Sequence, residues 1–361
     1  MRKIILFFLF IFFAACGGSE VSDTGETRFV TDVWGREVEI PVRVESIIAL
    51  GSGAPRLAAY LDVMDMLVGS EQYIENGIMV LRDYNPVHFD LLSSLPFVGA
   101  GGGSGNNNGF PEEILQVAPD VILAGFDFEP AEELQGQTGI PVVSVRHFTG
   151  LADESFFSAM RVFAEVVGAE ERAEFIFDYI NSMKADLYNR TTGIPDDEKL
   201  RAYAGAVTWN GRRGIAGTYS VFGIFDAINA VNVAYTSGIS GFFEADLESI
   251  LIWDPDVIFL DPGNIDLVNE EYRVNATFFQ SLRAIQNGRV YTLPSFNNAG
   301  TNITYAFMNA YFAGTVLFSE EFSDIDIAEK SAEILTTFLG KNTFEFMAEA
   351  GLFFGTLAVG E

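Results

Sequence analysis

The sequence predicts an α/β protein of two Rossmann-like lobes, each built on a parallel sheet, joined by a single long helix. Three observations predict it. Short apolar runs alternate with amphipathic stretches from Val44 onward, the same alternation restarts near Leu200, and the segment between has little Pro or Gly and apolar residues at helical spacing. In the first lobe Ser46–Leu50, Met66–Gly69, Val121–Ala124 and Val142–Val145 read as buried strands, and a helix begins at Leu57. In the second lobe Arg201–Ala204, Val257–Leu260 and Val290–Leu293 read the same way. Between them Phe156, Met160, Phe163, Ala164 and Val167 form one apolar stripe, which Ala173, Ile176, Phe177, Ile180 and Leu187 continue. About 35 helical residues would span roughly 50 Å, with a break possible at Gly168.

The first residues predict export. Arg2 and Lys3 precede an apolar run, Ile4 to Phe13, and Ala14, Ala15 and Cys16 follow. A run this short with those flanks reads as a cleaved signal, with Cys16 the lipidated new N-terminus, although Phe13 stands where Leu is usual. Residues 17–27 are small and polar, as a tether requires. The expected divisions are a leader at 1–15, a tether at 16–27, a first lobe at 28–152, a bridging helix at 153–192 and a second lobe at 193–361.

Composition sets further limits. Hydrophobic residues make up 49% of the chain, including 34 Phe, so a large core needs no disulfide, and the lone Cys16 permits none within the chain. The net charge of −29 repels nucleic acid and anionic membrane surfaces. With two histidines, His88 and His147, and no cysteine beyond Cys16, a multi-His or thiolate site for a bare transition ion lacks its usual ligands. An enzyme on this architecture would need Cys ligands or a His–carboxylate constellation, and neither is visible, so no catalytic residue is expected.

In open α/β lobes, ligands sit beyond the carboxyl ends of the strands. Four loops qualify. Gly51, Ser52 and Gly53 let backbone N–H groups approach a ligand, with Arg56 behind them. The stretch from Gly99 to Gly109, which includes Gly101 and Gly102, holds six glycines and three asparagines and suits an anion-cradling nest or a mobile surface loop. Trp209, Asn210, Arg212 and Arg213 offer stacking and two guanidinium forks for carboxylate, phenolate or oxyanion groups. Asn297, Asn298 and Asn302 supply amides. Tyr73, Phe126, Tyr219 and Phe242, with Phe128 and Phe243, are candidate aromatic walls.

An internal repeat supports two lobes. Laying Pro119–Ile122 on Pro255–Ile258 sets Glu112 on Glu248, and each copy reads as a helix stopped by a Pro turn and followed by a buried strand.

These features, with the stretch from Asp32 to Pro41, the strand at Ser46–Leu50, Asp65–Gly69 and the late strand at Gly288–Pro294, resemble the periplasmic-binding family for ferric siderophores, haem and cobalamin. The resemblance runs from about Val30 to about Gly351. It implies two lobes on a rigid helix, a ligand in the cleft between them and a small opening motion. Gly51–Leu57, Gly99–Gly103 and Thr301–Ile303 are similar to a subgroup labelled iron or metal-complex binding. The ligand so implied is a metal complex, foremost a ferric chelate, with a corrinoid, haem or an oxyanion such as molybdate as alternatives. No cofactor is held permanently, and no metal ligands are named. Haem would need an axial Tyr73, Tyr219 or His147. The implied partners are an ABC permease dimer with its cytoplasmic ATPase, docked through Glu112 and Glu248, and the membrane through the lipid on Cys16. A lipoprotein that only senses or sequesters its ligand is the other outcome.

Overall fold

The computed structural model describes residues 25–76, 79–147 and 150–360. The leader, Cys16 and most of the tether lie outside the described residues.

The chain opens with an antiparallel hairpin of β1 (Thr27–Thr31) and β2 (Glu37–Pro41). Its turn is the stretch from Asp32 to Arg36. The Asp32 carboxylate accepts from the N–H groups of Trp34 and Arg36 and pairs with the Arg36 guanidinium at 2.8 Å. The Trp34 indole N–H donates to the Phe126 carbonyl at 3.0 Å, which docks the hairpin on the first lobe. Expected as tether up to residue 27, the chain is already strand at Thr27.

The first lobe continues with β3 (Ile47–Gly51), α1 (Ala54–Tyr60), β4 (Ser70–Glu71), α2 (Asn85–Ser94), β5 (Phe97–Gly99), α3 (Pro111–Val117), β6 (Val121–Gly125), α4 (Phe128–Thr138) and β7 (Val142–Ser144). Strands β3, β6 and β7 form a parallel sheet, and β4 and β5 a short parallel pair. The strand expected at Met66–Gly69 is a single bridge from Leu67 to Ile47, because a 3-10 turn at Met64–Met66 takes up the start of that run.

The bridge is α5 (Glu154–Val167) and α6 (Glu170–Thr191), two helices rather than one. Gly168 ends α5 in the left-handed region at φ 72°, a conformation that favours glycine. Helix α6 alone spans about 33 Å, and Arg172 ties it to the Tyr60 carbonyl of α1 at 3.0 Å.

The second lobe comprises β8 (Arg201–Gly205), β9 (Gly217–Tyr219), α7 (Gly223–Ala227), β10 (Val231–Asn232), β11 (Phe242–Glu244), α8 (Leu247–Trp253), β12 (Val257–Leu260), α9 (Ile265–Val274), α10 (Ala276–Ser281), α11 (Arg283–Gln286), β13 (Val290–Thr292), α12 (Ile303–Leu317), α13 (Ile327–Leu339) and α14 (Phe344–Glu349). Its sheet is parallel in the order β10-β8-β12-β13, with an antiparallel ribbon of β9 and β11 beside it.

Both central strands are buried on two faces, as parallel sheets require. Val121 and Leu123 of β6, and Val257 and Phe259 of β12, face one core shared by the lobes. Ile122 and Ala124 face a separate core under α3 and α4, and Ile258 and Leu260 face another in the second lobe. The shared core takes in α1, α5, α6, α12 and α13, so the lobes are packed together along their backs.

Candidate functional site

The carboxyl ends of the two sheets face each other across a cleft of about 650 Å³. Ser52 follows β3; Gly102, Gly103 and Ser104 follow β5; Arg146 and His147 follow β7. From the other side come Thr208 to Arg212 after β8 and Asn297 to Gly300 after β13, while Leu81 and Arg82 enter from the coil before α2. The loops approach closely. A side chain at Gly103 would meet the Ala299 backbone at 3.2 Å, and one at Gly53 (φ 81°) would strike the His147 ring.

Among the described residues, three arginines line this cleft and no aspartate or glutamate does, in a chain of net charge −29. Arg82 is buried, with its Nη1 donating to Glu71 at 3.2 Å and its Nε to the Asn298 side chain at 3.0 Å. Its guanidinium lies 3.5 Å over the Tyr73 ring. Burial works against the charge, but Tyr84 and Glu71 outweigh it and hold the pKa above the ordinary value. Burial likewise lifts the Glu71 carboxyl, against Arg82 and the Gly51 N–H that donates to it at 2.7 Å. Arg146 pairs with Asp127 at 3.3 Å. Arg212 is half exposed, bonded to the Gly263 carbonyl, the Asn264 amide and the Asp266 carboxylate. His147 is buried, and burial lowers its pKa to about 4, so it is neutral at physiological pH.

Of the residues expected from sequence, Ser52, Gly102, Trp209, Asn210, Arg212, Asn297 and Asn298 line the cleft. The others do not, each for a physical reason. Arg56 is 1% exposed; it pairs with Asp83 at 2.9 Å and reaches across to the Asn298 and Ala299 carbonyls and to Asn302. Asn302 is buried in the same network and also bonds Leu81 and Phe296. Tyr73 lies beneath Arg82, and Gly101 packs on Tyr73 and Glu71. Gly51 is closed off by Phe126, which is wholly buried, and Gly53 by His147. Arg213 turns away to Glu244 and the Trp209 carbonyl, over the Phe242 ring. Phe242 stacks on Trp209 from behind. Tyr219 lines an apolar recess of about 80 Å³ with Phe222 and Phe296, which meets the cleft at Asn297. Its hydroxyl is buried without a hydrogen-bond partner among the described residues.

Sequence reasoning missed Leu81, Arg82, Arg146 and Thr208, and considered His147 only as a haem ligand. Arg146 stands two residues past β7, so the rule that selected the other loops applies to it equally. Leu81 and Arg82 follow no strand, and nothing in the sequence marks either of them.

A two-lobed α/β molecule with a ligand-sized cleft at the facing strand ends is the architecture of a solute receptor. The chain belongs to the periplasmic binding protein family, whose model matches residues 68–296. Over 325 residues it is 23% identical to the molybdate-binding protein MolA of Haemophilus influenzae, covering 83% of this chain and 87% of that one. Its fold is similar to a periplasmic solute-binding protein from Veillonella parvula, with TM-score 0.68, 19% identity and coverage of 91% and 97% of the two chains. It is similar to molybdate-bound MolA with TM-score 0.66, 20% identity and coverage of 87% and 98%. The periplasmic haem-binding protein HutB of Vibrio cholerae gives TM-score 0.55, 15% identity and coverage of 75% and 97%. The protein is thus a solute-binding protein of the ABC-transporter type and not an enzyme; proteins of this type work with a permease and its ATPase. The family implies export, and no helix among the described residues is long and apolar enough to cross a membrane.

Proposed function

We propose that this protein captures an oxygen-rich metal anion of the molybdate kind in the inter-lobe cleft and delivers it to its permease. The observation that carries this reading is that, among the described residues, the lining holds three arginines and no carboxylate. Guanidinium groups with backbone, hydroxyl and amide donors recognise oxyanion edges through charge-assisted hydrogen bonds. Arg82 suits this role best, because Glu71 and Tyr73 already hold it in place. The metal is then gripped through its own oxygens. This agrees with the lack, among the described residues, of any group of three or more His, Cys, Asp or Glu placed to hold an ion. The named function of the Haemophilus relative supports the same class.

Calorimetry of the mature protein against molybdate, tungstate, sulfate and phosphate tests the reading. Saturable binding of a metal oxyanion that Arg82→Met weakens is the expected result, and no binding to any of them overturns it.

An anionic ferric chelate is the second reading, because the cleft volume and the adjoining aromatic recess exceed what a bare oxyanion fills. Binding of a ferric catecholate but of no oxyanion decides in its favour. Haem and corrinoid are less well served, since among the described cleft-lining residues the only aromatic rings are the Trp209 indole and the His147 imidazole.

Attachment through a lipid on Cys16 belongs to the same proposal. Cys16→Ser is expected to leave the membrane fraction; unchanged processing and membrane retention would refute the anchor.

A further inference from the structure

Beneath the second-lobe wall of the cleft lies a carboxylate that anion capture must reckon with. Asp261 follows β12 directly and is 2% exposed. The Thr208 hydroxyl, on the cleft wall, donates to its Oδ2 at 2.8 Å and accepts from the Asn264 side-chain amide at 2.9 Å. The Gly263 N–H donates to Oδ1 at 3.0 Å.

The groups facing Asp261 are few. From the loop after β8 come Thr208 and, as the cation electrostatically coupled to it, Arg212, whose charge is shared with Asp266 of α9. From the segment after β13 comes the Ser295 hydroxyl. Its own turn adds the Gly263 N–H and the Asn264 amide. Among the described residues it makes no direct ion pair.

While Asp261 is charged, the single Thr208 proton is committed to it, and the cleft receives none from that hydroxyl. An anion arriving on the other side of Thr208 meets a negative charge across one hydroxyl group. Protonation removes both obstacles. A protonated Oδ2 donates to Thr208, whose oxygen accepts from it and from Asn264, and the Thr208 hydroxyl proton then turns to the ligand.

We propose that the cleft takes up its anion together with one proton from solvent, and that Asp261 is the positioning residue that carries this proton and turns Thr208 into a donor. The inference rests on the anion reading above. Burial, against the hydrogen bonds from Thr208, Gly263 and Ser295, already lifts the Asp261 carboxyl to about 6. A bound anion lifts it further. Affinity therefore rises as pH falls toward about 6, by at most tenfold per unit for one proton, and levels off below, where Asp261 is protonated in both states. His147, neutral down to about pH 4, does not titrate in this window.

The test is calorimetry of the mature protein with molybdate from about pH 8 to about pH 6, in two buffers of different ionisation heat. Wild type is expected to gain affinity toward the lower end and to take up a proton on binding. Asp261→Asn is expected to be flat with pH and close to the low-pH wild type. Thr208→Val is expected to gain less affinity toward the lower end than wild type, because only the neutralisation of Asp261 is left to favour the anion. A flat wild-type profile, or a slope that persists in Asp261→Asn, overturns the inference and leaves the anion reading standing. No molybdate binding at any pH overturns both.

Discussion

In the first lobe the Asp120 carboxylate accepts from the Ser46 N–H at 2.8 Å, and in the second the Asp256 carboxylate accepts from the Arg201 N–H at 3.0 Å. The residue before each Pro, Ala118 or Asp254, ends its helix in the left-handed region. The two lobes thus lock a helix–Pro-Asp–strand unit by one device at the same place. Their cleft walls differ. On the first-lobe wall Arg82 is buried and held between a carboxylate and an aromatic ring, whereas on the second-lobe wall Arg212 is half exposed on the surface of its turn. A duplicated scaffold leaves the loops beyond its strands free to diverge. Here one wall is fixed in advance, and the other is carried by a turn that hydrogen bonds can rearrange.

The largest effect is expected where the walls are joined. Asp83 accepts from Arg56 at 2.9 Å, from Thr304 of α12 at 2.7 Å and from Tyr60, all out of water. Asp83→Ala strands a buried guanidinium and is expected to cost about 3–5 kcal/mol in urea unfolding. Replacing Arg56 and Asp83 together by apolar residues is expected to cost less than the single change. If the single change proves neutral, the two lobes are not clasped here and a wide hinge motion becomes open to the molecule.

The walls themselves come next. Arg82→Met is expected to weaken oxyanion binding roughly 100-fold and Arg212→Met roughly tenfold, since hydrogen bonds to charged groups are worth about 1.5–3 kcal/mol and the half-exposed partner contributes the lower figure. Because Arg82→Met also leaves Glu71 unpaired, unfolding must be measured beside affinity, with Arg82→Lys as the check on charge. Equal losses at the two sites would erase the distinction between fixed and adaptable walls. Arg213→Ala is expected to change affinity less than about threefold, because Glu244 and the Trp209 carbonyl hold that side chain away from the cleft. A large loss there would restore the expectation drawn from its sequence neighbours.

Much of the scaffold was readable because strands buried on both faces leave continuous apolar runs, as Val257–Leu260 does. The β9–β11 ribbon was not, since Gly217–Tyr219 and Phe242–Glu244 mix polar or glycine positions into runs too short to read as strands. The loops at the strand ends were found by a rule of topology, and that rule brought Ser52, Trp209, Arg212 and Asn298 to the cleft. It could not say which side chains turn inward. Arg56 and Arg213 each sit beside cleft residues, yet buried or surface carboxylates claim them. For Arg56 a signal was present: every residue of α1 is apolar except this arginine and the Tyr60 hydroxyl, a pattern of a helix buried all round with a paired charge inside. Arg82 carries no such mark, because its place is set by packing on Tyr73 and Glu71, nine and eleven residues away in the chain.

The smallest effect on the receptor itself is expected where the lobes are most alike. Glu112 and Glu248 are exposed in the first turns of α3 and α8. Each helix also exposes apolar side chains one turn on, Leu115 on the first and Leu251 with Ile252 on the second. An acid at a helix N-terminus is favoured by the helix dipole, which alone would explain both residues. That account predicts a slight loss of stability for Glu112→Ala and Glu248→Ala and nothing else. The proposal that the two acids seat the lobes on the permease predicts unchanged ligand affinity together with failure to stimulate the transporter's ATPase in reconstituted membranes. The symmetry of the positions sharpens the measurement, because each single mutant should lose part of the stimulation and the double mutant nearly all of it. Full stimulation by the double mutant would leave both residues as helix-end charges. Loss in one single mutant alone would mean that the lobes differ in docking as they do in the cleft.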